Sequence, residues 1–102
     1  MEIEECLNTT IDFDDRKINY SYRLTKRLFH SEDVYGIEVE RQDIKFGKLV
    51  KIERDSIEVV SKNRAKANEL LELLFNNEVS PIHLVDIISP YVEDGYVDEF
   101  IN

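Results

Sequence analysis

The sequence predicts an α+β, two-layer domain: a five-strand antiparallel meander over residues 1–60, two helices packed on its apolar face within 61–94, and a C-terminal tail over 95–102. Three observations carry this expectation. Apolar residues recur at every second position before Ser61 and at every third and fourth after it, the periods of a half-buried strand and of an amphipathic helix. Four candidate turns divide the first part and keep its apolar sets on one face. The length of 102 residues suits a single core of ordinary size.

The first strand sets Ile3, Leu7, Ile11 and Phe13 against Asn8, Thr10 and Asp12; Cys6 falls on the polar face. The second sets Ile18, Tyr20, Tyr22 and Leu24 against Asn19, Ser21 and Arg23, and the third sets Tyr35, Ile37 and Val39 against Gly36, Glu38 and Glu40. Val50 with Ile52, then Ile57 with Val59, continue the alternation. One wet face and one buried face is the common pattern of antiparallel sheets.

Connection lengths must keep these faces in phase, because a slip of one residue turns every side chain over. A turn at Asp15-Arg16 opposes Ile11 to Tyr20 and Leu7 to Leu24. One at Ser31-Glu32 opposes Leu24 to Val39 and Leu28 to Tyr35, and sets Arg23 across from Glu40. Phe46-Gly47 forms a two-residue loop whose glycine supplies positive φ, and it opposes Asp43 to Val50 and Arg41 to Ile52. Arg54-Asp55 makes the last turn and opposes Ile52 to Ile57. Lys26, Arg41 and Asp43 fall on the nominal core face, which places them at its rim or beside a bulge.

Ser61 reads as the N-cap of the first helix, its hydroxyl accepting from an orphan N–H. Ala67, Leu70, Leu71, Leu74 and Phe75 form the buried stripe, and Asn76-Asn77 ends it. Ser80-Pro81 starts a second helix, with Leu84, Val85 and Ile88 inward. Pro90 stops or kinks that helix near Ser89, because proline lacks an N–H and clashes one turn back. Gly95 breaks the following piece, leaving Val97, Phe100 and Ile101 as anchors in the tail.

The net charge is −9, from 13 basic and 22 acidic residues. Such a field repels phosphate backbones and argues against direct nucleic-acid binding. Beyond Lys66 the chain carries eight acids and no Lys or Arg. No apolar run reaches the roughly 20 residues that span a bilayer, and the N-terminus lacks signal-peptide regions. A lone cysteine excludes an internal disulfide framework and suits a reducing, cytoplasmic setting.

Lys62, Arg64 and Lys66 place cations at a helix N-terminus, against the macrodipole. Ser61, Lys62 and Arg64 are therefore candidate anion ligands; internal pairing with Glu93 and Asp94 explains the same charges. His30 and His83 have no metal-ligand spacing, three scattered glycines make no phosphate loop, and no nucleophile signature occurs. Neither a cofactor nor a catalytic constellation is expected. Five tyrosines read as core or core-edge residues with wet hydroxyls. Ala65–Phe75 and Pro81–Ile88 have helix-turn-helix lengths, yet the second offers His83 and Asp86 and no Lys or Arg, which does not suit base reading.

The stretches Tyr35-Gly36-Ile37-Glu38-Val39-Glu40-Arg41 and Asn77-Glu78-Val79-Ser80-Pro81-Ile82-His83-Leu84-Val85-Asp86 resemble a family of small uncharacterised clostridial proteins. That resemblance implies a stand-alone bacterial cytosolic protein and transfers no functional residues. The sequence thus favours a non-enzymatic module acting through protein contacts, by its acidic helical face or by the open edge of strand one, where a second copy can pair to give a homodimer. An acidic mimic of DNA and a small anion-binding domain are the alternatives.

Overall fold

Alternating side chains and tight turns build one sheet from four long antiparallel strands: β1 (Glu2–Asp12), β2 (Arg16–Phe29), β3 (Glu32–Lys45) and β4 (Lys48–Ser61), in that spatial order. The computed structural model describes residues 1–93. After the sheet come α1 (Arg64–Asn76), a 3₁₀ turn at Pro81–His83, α2 (Leu84–Ile88) and a second 3₁₀ turn at Ser89–Tyr91. The expected tail, with Gly95, Val97, Phe100 and Ile101, lies outside the described residues, as does Asp94.

Five strands were expected; there are four. No turn forms at Arg54-Asp55, and β4 runs through it, pairing Arg54 with Glu40 and Asp55 with Val39. The polar run Glu53–Ser56 is exposed or half-buried strand rather than a loop. It lies where β4 has left the cover of the helices, so its side chains need not be apolar.

Two hairpins turn one residue earlier than expected, at Asp14-Asp15 and His30-Ser31. Tyr22 opposes Leu7 on one side and Val39 on the other, a shift of two residues from the expected pairings that leaves the side chains of β2 and β3 on their expected faces. Between β3 and β4 the register differs from expectation by one residue. Arg41 opposes Glu53 and Asp43 opposes Lys51, not Ile52 and Val50, so Ile52 stands across from Gln42 on the face away from the helices. The β2–β3 turn is His30-Ser31, both with positive φ, and the β3–β4 turn is Phe46-Gly47 with φ of 50° and 75°. Positive φ at both central positions is the geometry whose twist matches the flanking strands.

Three bulges then modify the ladder. Glu4 is the extra residue between Ile3 and Glu5 in β1, which turns Ile3 away from the face that Leu7 occupies. Another interrupts pairing between Asp43 and Ile44, with Val50 as the additional residue of β4. In the third, Glu58, Val59 and Val60 all lie across from Gly36. A Cβ on Gly36 would overlap the carbonyl oxygens of Ile57 and Glu58, so only glycine admits this approach. The same bulge lets Val59, Val60 and Ser61 be buried in succession.

α1 packs over β2 and β3, and the α2 segment packs over β4. Tyr22, Leu24, Ile37, Val39, Ile57, Leu71, Leu74, Leu84 and Ile88 are buried at this junction. Asn63, rather than Ser61, caps α1: its Oδ1 accepts from Lys66 N–H at 3.1 Å. At the other end Glu78 takes φ of 48°, and the N–H groups of Glu78 and Val79 donate to Phe75 and Leu74 carbonyls. This is a Schellman closure, with Val79 buried against the core. Tyr22 Oη donates to Val79 O at 2.9 Å, and Tyr20 Oη lies 2.9 Å from Ser80 Oγ. The two strand tyrosines thereby hold the link between the helices.

The helices are much shorter than the strands. Thirteen residues of α1 span about 20 Å, whereas fourteen residues of β3 extend about 46 Å. The molecule accordingly measures 47 × 23 × 21 Å, with a radius of gyration of 14.4 Å against about 13 Å for a compact domain of this length. One end of the sheet, comprising the β1–β2 turn and the β3–β4 hairpin, projects beyond the helical layer as an arm.

Candidate functional site

Local sequence builds the arm from two adjacent turns. Phe13 N–H donates to Arg16 O across Asp14-Asp15, and Phe46 N–H donates to Asp15 O at 2.9 Å, fastening one hairpin tip to the other. Between them lies an open cleft of about 500 Å³ lined by Asp12–Lys17, Ile44, Phe46 and Gly47. Both phenylalanines are exposed, Phe46 at 72%. Arg16 lies 5.6 Å from the Phe13 ring centre and Lys45 lies 5.8 Å from that of Phe46. An aromatic with a cation over its face is a site of apolar and cation–π contact together.

Behind the tip, β4 leaves Leu49, Val50 and Ile52 exposed along its free edge. Alternation alone assigns Val50 and Ile52 to the core. It misses them because the bulge at Val50 shifts β4 by one residue and sets Ile52 across from Gln42, on the face away from the helices. It misses Phe13 as a surface residue because it takes the helices to cover the whole apolar face. Comparing strand length with helix length exposes the shortfall.

The two faces of the arm are charged in different ways. Where the helical layer ends, Arg41 Nε donates to Asp43 Oδ1 at 2.8 Å and its Nη1 reaches Tyr20 Oη at 3.4 Å. Lys51 and Glu53, across from Asp43 and Arg41, pair with each other at 3.2 Å. Arg41, Asp43, Lys51 and Glu53 thus form a square of alternating charge. The misfit of Arg41 and Asp43 to a core face is resolved: they lie beside a bulge, beyond the helices.

On the opposite face Glu40 is only 4% exposed. Its carboxylate accepts from Arg54 Nε at 2.6 Å, Gln42 Nε2 at 2.8 Å and Arg23 Nη1 at 3.3 Å. Arg23 also reaches Glu38 at 2.7 Å, so the expected Arg23–Glu40 contact forms as part of a wider network. Burial alone would push the Glu40 carboxyl up, but the hydrogen bonds from Arg54, Gln42 and Arg23 outweigh it and hold it below the ordinary range. Desolvation opposes the charge on Arg23, and its two glutamate partners more than restore it. This network ties β2, β3 and β4 together.

Ser61, Lys62 and Arg64 lie at the other end of the molecule. Ser61 is fully buried, and its Oγ donates to Glu93 Oε1 at 2.6 Å; Lys62 N–H reaches the same oxygen at 3.4 Å. Lys62 Nζ lies 3.1 Å from Glu32 and Arg64 Nε 3.7 Å from Glu4. Each of the three groups therefore meets a carboxylate of the chain itself. The β1 bulge presents Glu4 to the start of α1. His30 sits in the β2–β3 turn with its ring 4.1 Å from that of Phe29, and His83 ends the first 3₁₀ turn. Cys6 is exposed on the open face, 3.6 Å from Asn8 Oδ1.

Among the described residues no helix is long and apolar enough to cross a membrane. Neither the curated proteins nor the solved structures include a match to this chain. A model of a family of unknown function, DUF6514, matches residues 1–94. With nearly the whole sequence covered and the sheet, helices and arm all inside the matched span, the chain belongs to this family of unknown function.

Proposed function

We propose that the protein is a small, non-enzymatic interaction module of the bacterial cytosol, of clostridial origin, and that its arm is the surface that meets a protein partner. The observation that supports this reading is the pair of exposed phenylalanines at the tip, with Leu49, Val50 and Ile52 also exposed on the adjoining edge strand. Large exposed apolar side chains in one contiguous region mark interaction surfaces, and aromatics carry a disproportionate share of interface energy. The cleft between Phe13 and Phe46 accepts an apolar side chain, while Asp12, Asp14 and Asp15 favour a basic residue beside it. The lone cysteine supports the reducing compartment.

Affinity capture from native cells, with the full chain as bait, tests this reading through two variants. A Phe13→Ser/Phe46→Ser bait is expected to lose the partner held by the wild type, by at least about tenfold in yield, since each aromatic anchor contributes roughly 1–2 kcal/mol or more. A Glu69→Gln/Glu72→Gln bait, altered on the helical face, is expected to keep it. Retention by the phenylalanine variant with loss from the helical variant would move the interface from the arm to the helices.

A further inference from the structure

β4 is an edge strand whose outer segment has no helical cover, and an unpaired edge is a template for another chain. Its charges are arranged for a particular occupant. We propose that a second copy of this chain pairs antiparallel with β4, with Ile52 on the two-fold axis, so that the two four-stranded sheets become one. This proposal rests on the reading of the arm as an interaction surface and names its partner.

The register follows from the charges. With Ile52 opposite the partner's Ile52, Lys51 faces the partner's Glu53 and Glu53 faces the partner's Lys51. Within one chain Asp43 already opposes Lys51 and Arg41 already opposes Glu53. A row crossing the joined sheet then reads Asp43, Lys51, the partner's Glu53, the partner's Arg41, alternating in sign at every step. Its symmetric counterpart reads the same way in reverse, as an isologous contact requires. Moving the axis by one residue sets Lys51 against Lys51, or Glu53 against Glu53, and like charges directly opposite destabilise a strand pair. On the other face, Ile52 meets Ile52 and the exposed Val50 meets the aliphatic stem of Arg54. The β1 edge offers no such arrangement: it holds Glu2, Glu4, Glu5 and Asp12 and no Lys or Arg. Charge complementarity therefore places the second copy on β4 rather than on strand one.

Light scattering after size exclusion, over a concentration series, measures the pairing. The wild type is expected to move from monomer to dimer as concentration rises. Lys51→Glu alone and Glu53→Lys alone are each expected to weaken dimerisation by at least about tenfold, because both symmetric pairs become repulsive. An equimolar mixture of the two variants is expected to recover dimer. One variant then carries carboxylates at both positions and the other carries ammonium groups at both, so each cross-strand pair joins opposite charges. Circular dichroism of each variant confirms that the fold is retained. A wild type that stays monomeric up to about 1 mM, a dimer indifferent to both substitutions, or a mixture that remains monomeric would each overturn the proposal. A monomeric wild type that still captures a partner through Phe13 and Phe46 would remove the self-pairing alone and leave the arm's wider role intact.

Discussion

Gly36 and Glu40 lie four residues apart on β3 and answer to different physics. At Gly36 the constraint is space: Glu58, Val59 and Val60 lie across from one residue, and backbone carbonyls fill the place of a side chain. A flexible neighbour could swing aside, but a paired strand cannot. Gly36→Ala is therefore expected to destabilise the fold by about 3 kcal/mol, the upper part of the range for overpacking, measurable as a lowered denaturant midpoint. At Glu40 the constraint is charge. Its carboxyl is held below the ordinary range by Arg54, Gln42 and Arg23 against the opposing effect of burial. A depressed folded-state value means that the unfolded chain takes up the proton first, so the contribution is complete above the unfolded value of about 4.3. It is lost as pH falls through the folded value. Stability of the wild type should thus fall more steeply below about pH 4.3 than that of Glu40→Gln, which should itself cost about 1–2 kcal/mol at neutral pH because Arg54 is largely solvated. Parallel pH profiles for the two proteins would show that Glu40 carries no such linkage.

At the scale of elements, the sequence made legible what depends on local periodicity and hid what depends on length. Alternation of Ile18, Tyr20, Tyr22 and Leu24 identified β2 and its buried face, and Ala67, Leu70, Leu71 and Leu74 identified the inner stripe of α1. Phe46-Gly47 announced its turn through glycine. His30-Ser31 did not, because neither residue advertises a left-handed backbone, and the expected turn slid by one position. The face survived the error, since the resulting change of register is two residues, an even number. The supposed fifth strand arose from reading Arg54-Asp55 as a turn because it is polar. Polarity there reflects solvent on both sides of an uncovered strand. Ser61 shows a different limit. Its identity suits a cap, but the bulge opposite Gly36 carries it into the interior, where its Oγ accepts from Asn63 N–H and donates to Glu93. Asn63 then caps the helix two residues later. The arm was the least legible part. Phe13 is exposed because the helical layer stops short of it, and Phe46 because it stands in the turn. Ile52 is exposed because the bulge at Val50 turns it to the face away from the helices, which no pattern in its own segment shows.

At the scale of the whole molecule, the short helical layer divides one continuous sheet into two regions of unequal support. Over Tyr20–Leu24, Val34–Val39 and Ile57–Ser61 the ladder is buried beneath α1 and α2, so opening it exposes the core. Over Arg41–Lys45 and Lys48–Glu53 the same kind of backbone bond is held by the ladder, surface ion pairs and the Phe46–Asp15 link between turns. Exposed ion pairs contribute little, about 0–1 kcal/mol each, whereas local opening free energy follows buried apolar contact. The bulge at Val50 weakens the arm further by interrupting the hydrogen-bond pattern. Hydrogen exchange on dilute protein, where chains are separate, should therefore show ladder amides of the arm exchanging at least about tenfold faster than those beneath the helices, equivalent to roughly 1.4 kcal/mol less protection. Uniform slow exchange from Gly47 to Ser61 would mean that the arm opens only with global unfolding, and that its exposed apolar residues stand on a surface as rigid as the core. Graded exchange would instead identify the arm as a separately opening unit, able to adjust its hairpin tips to a partner while the helix-covered body stays folded.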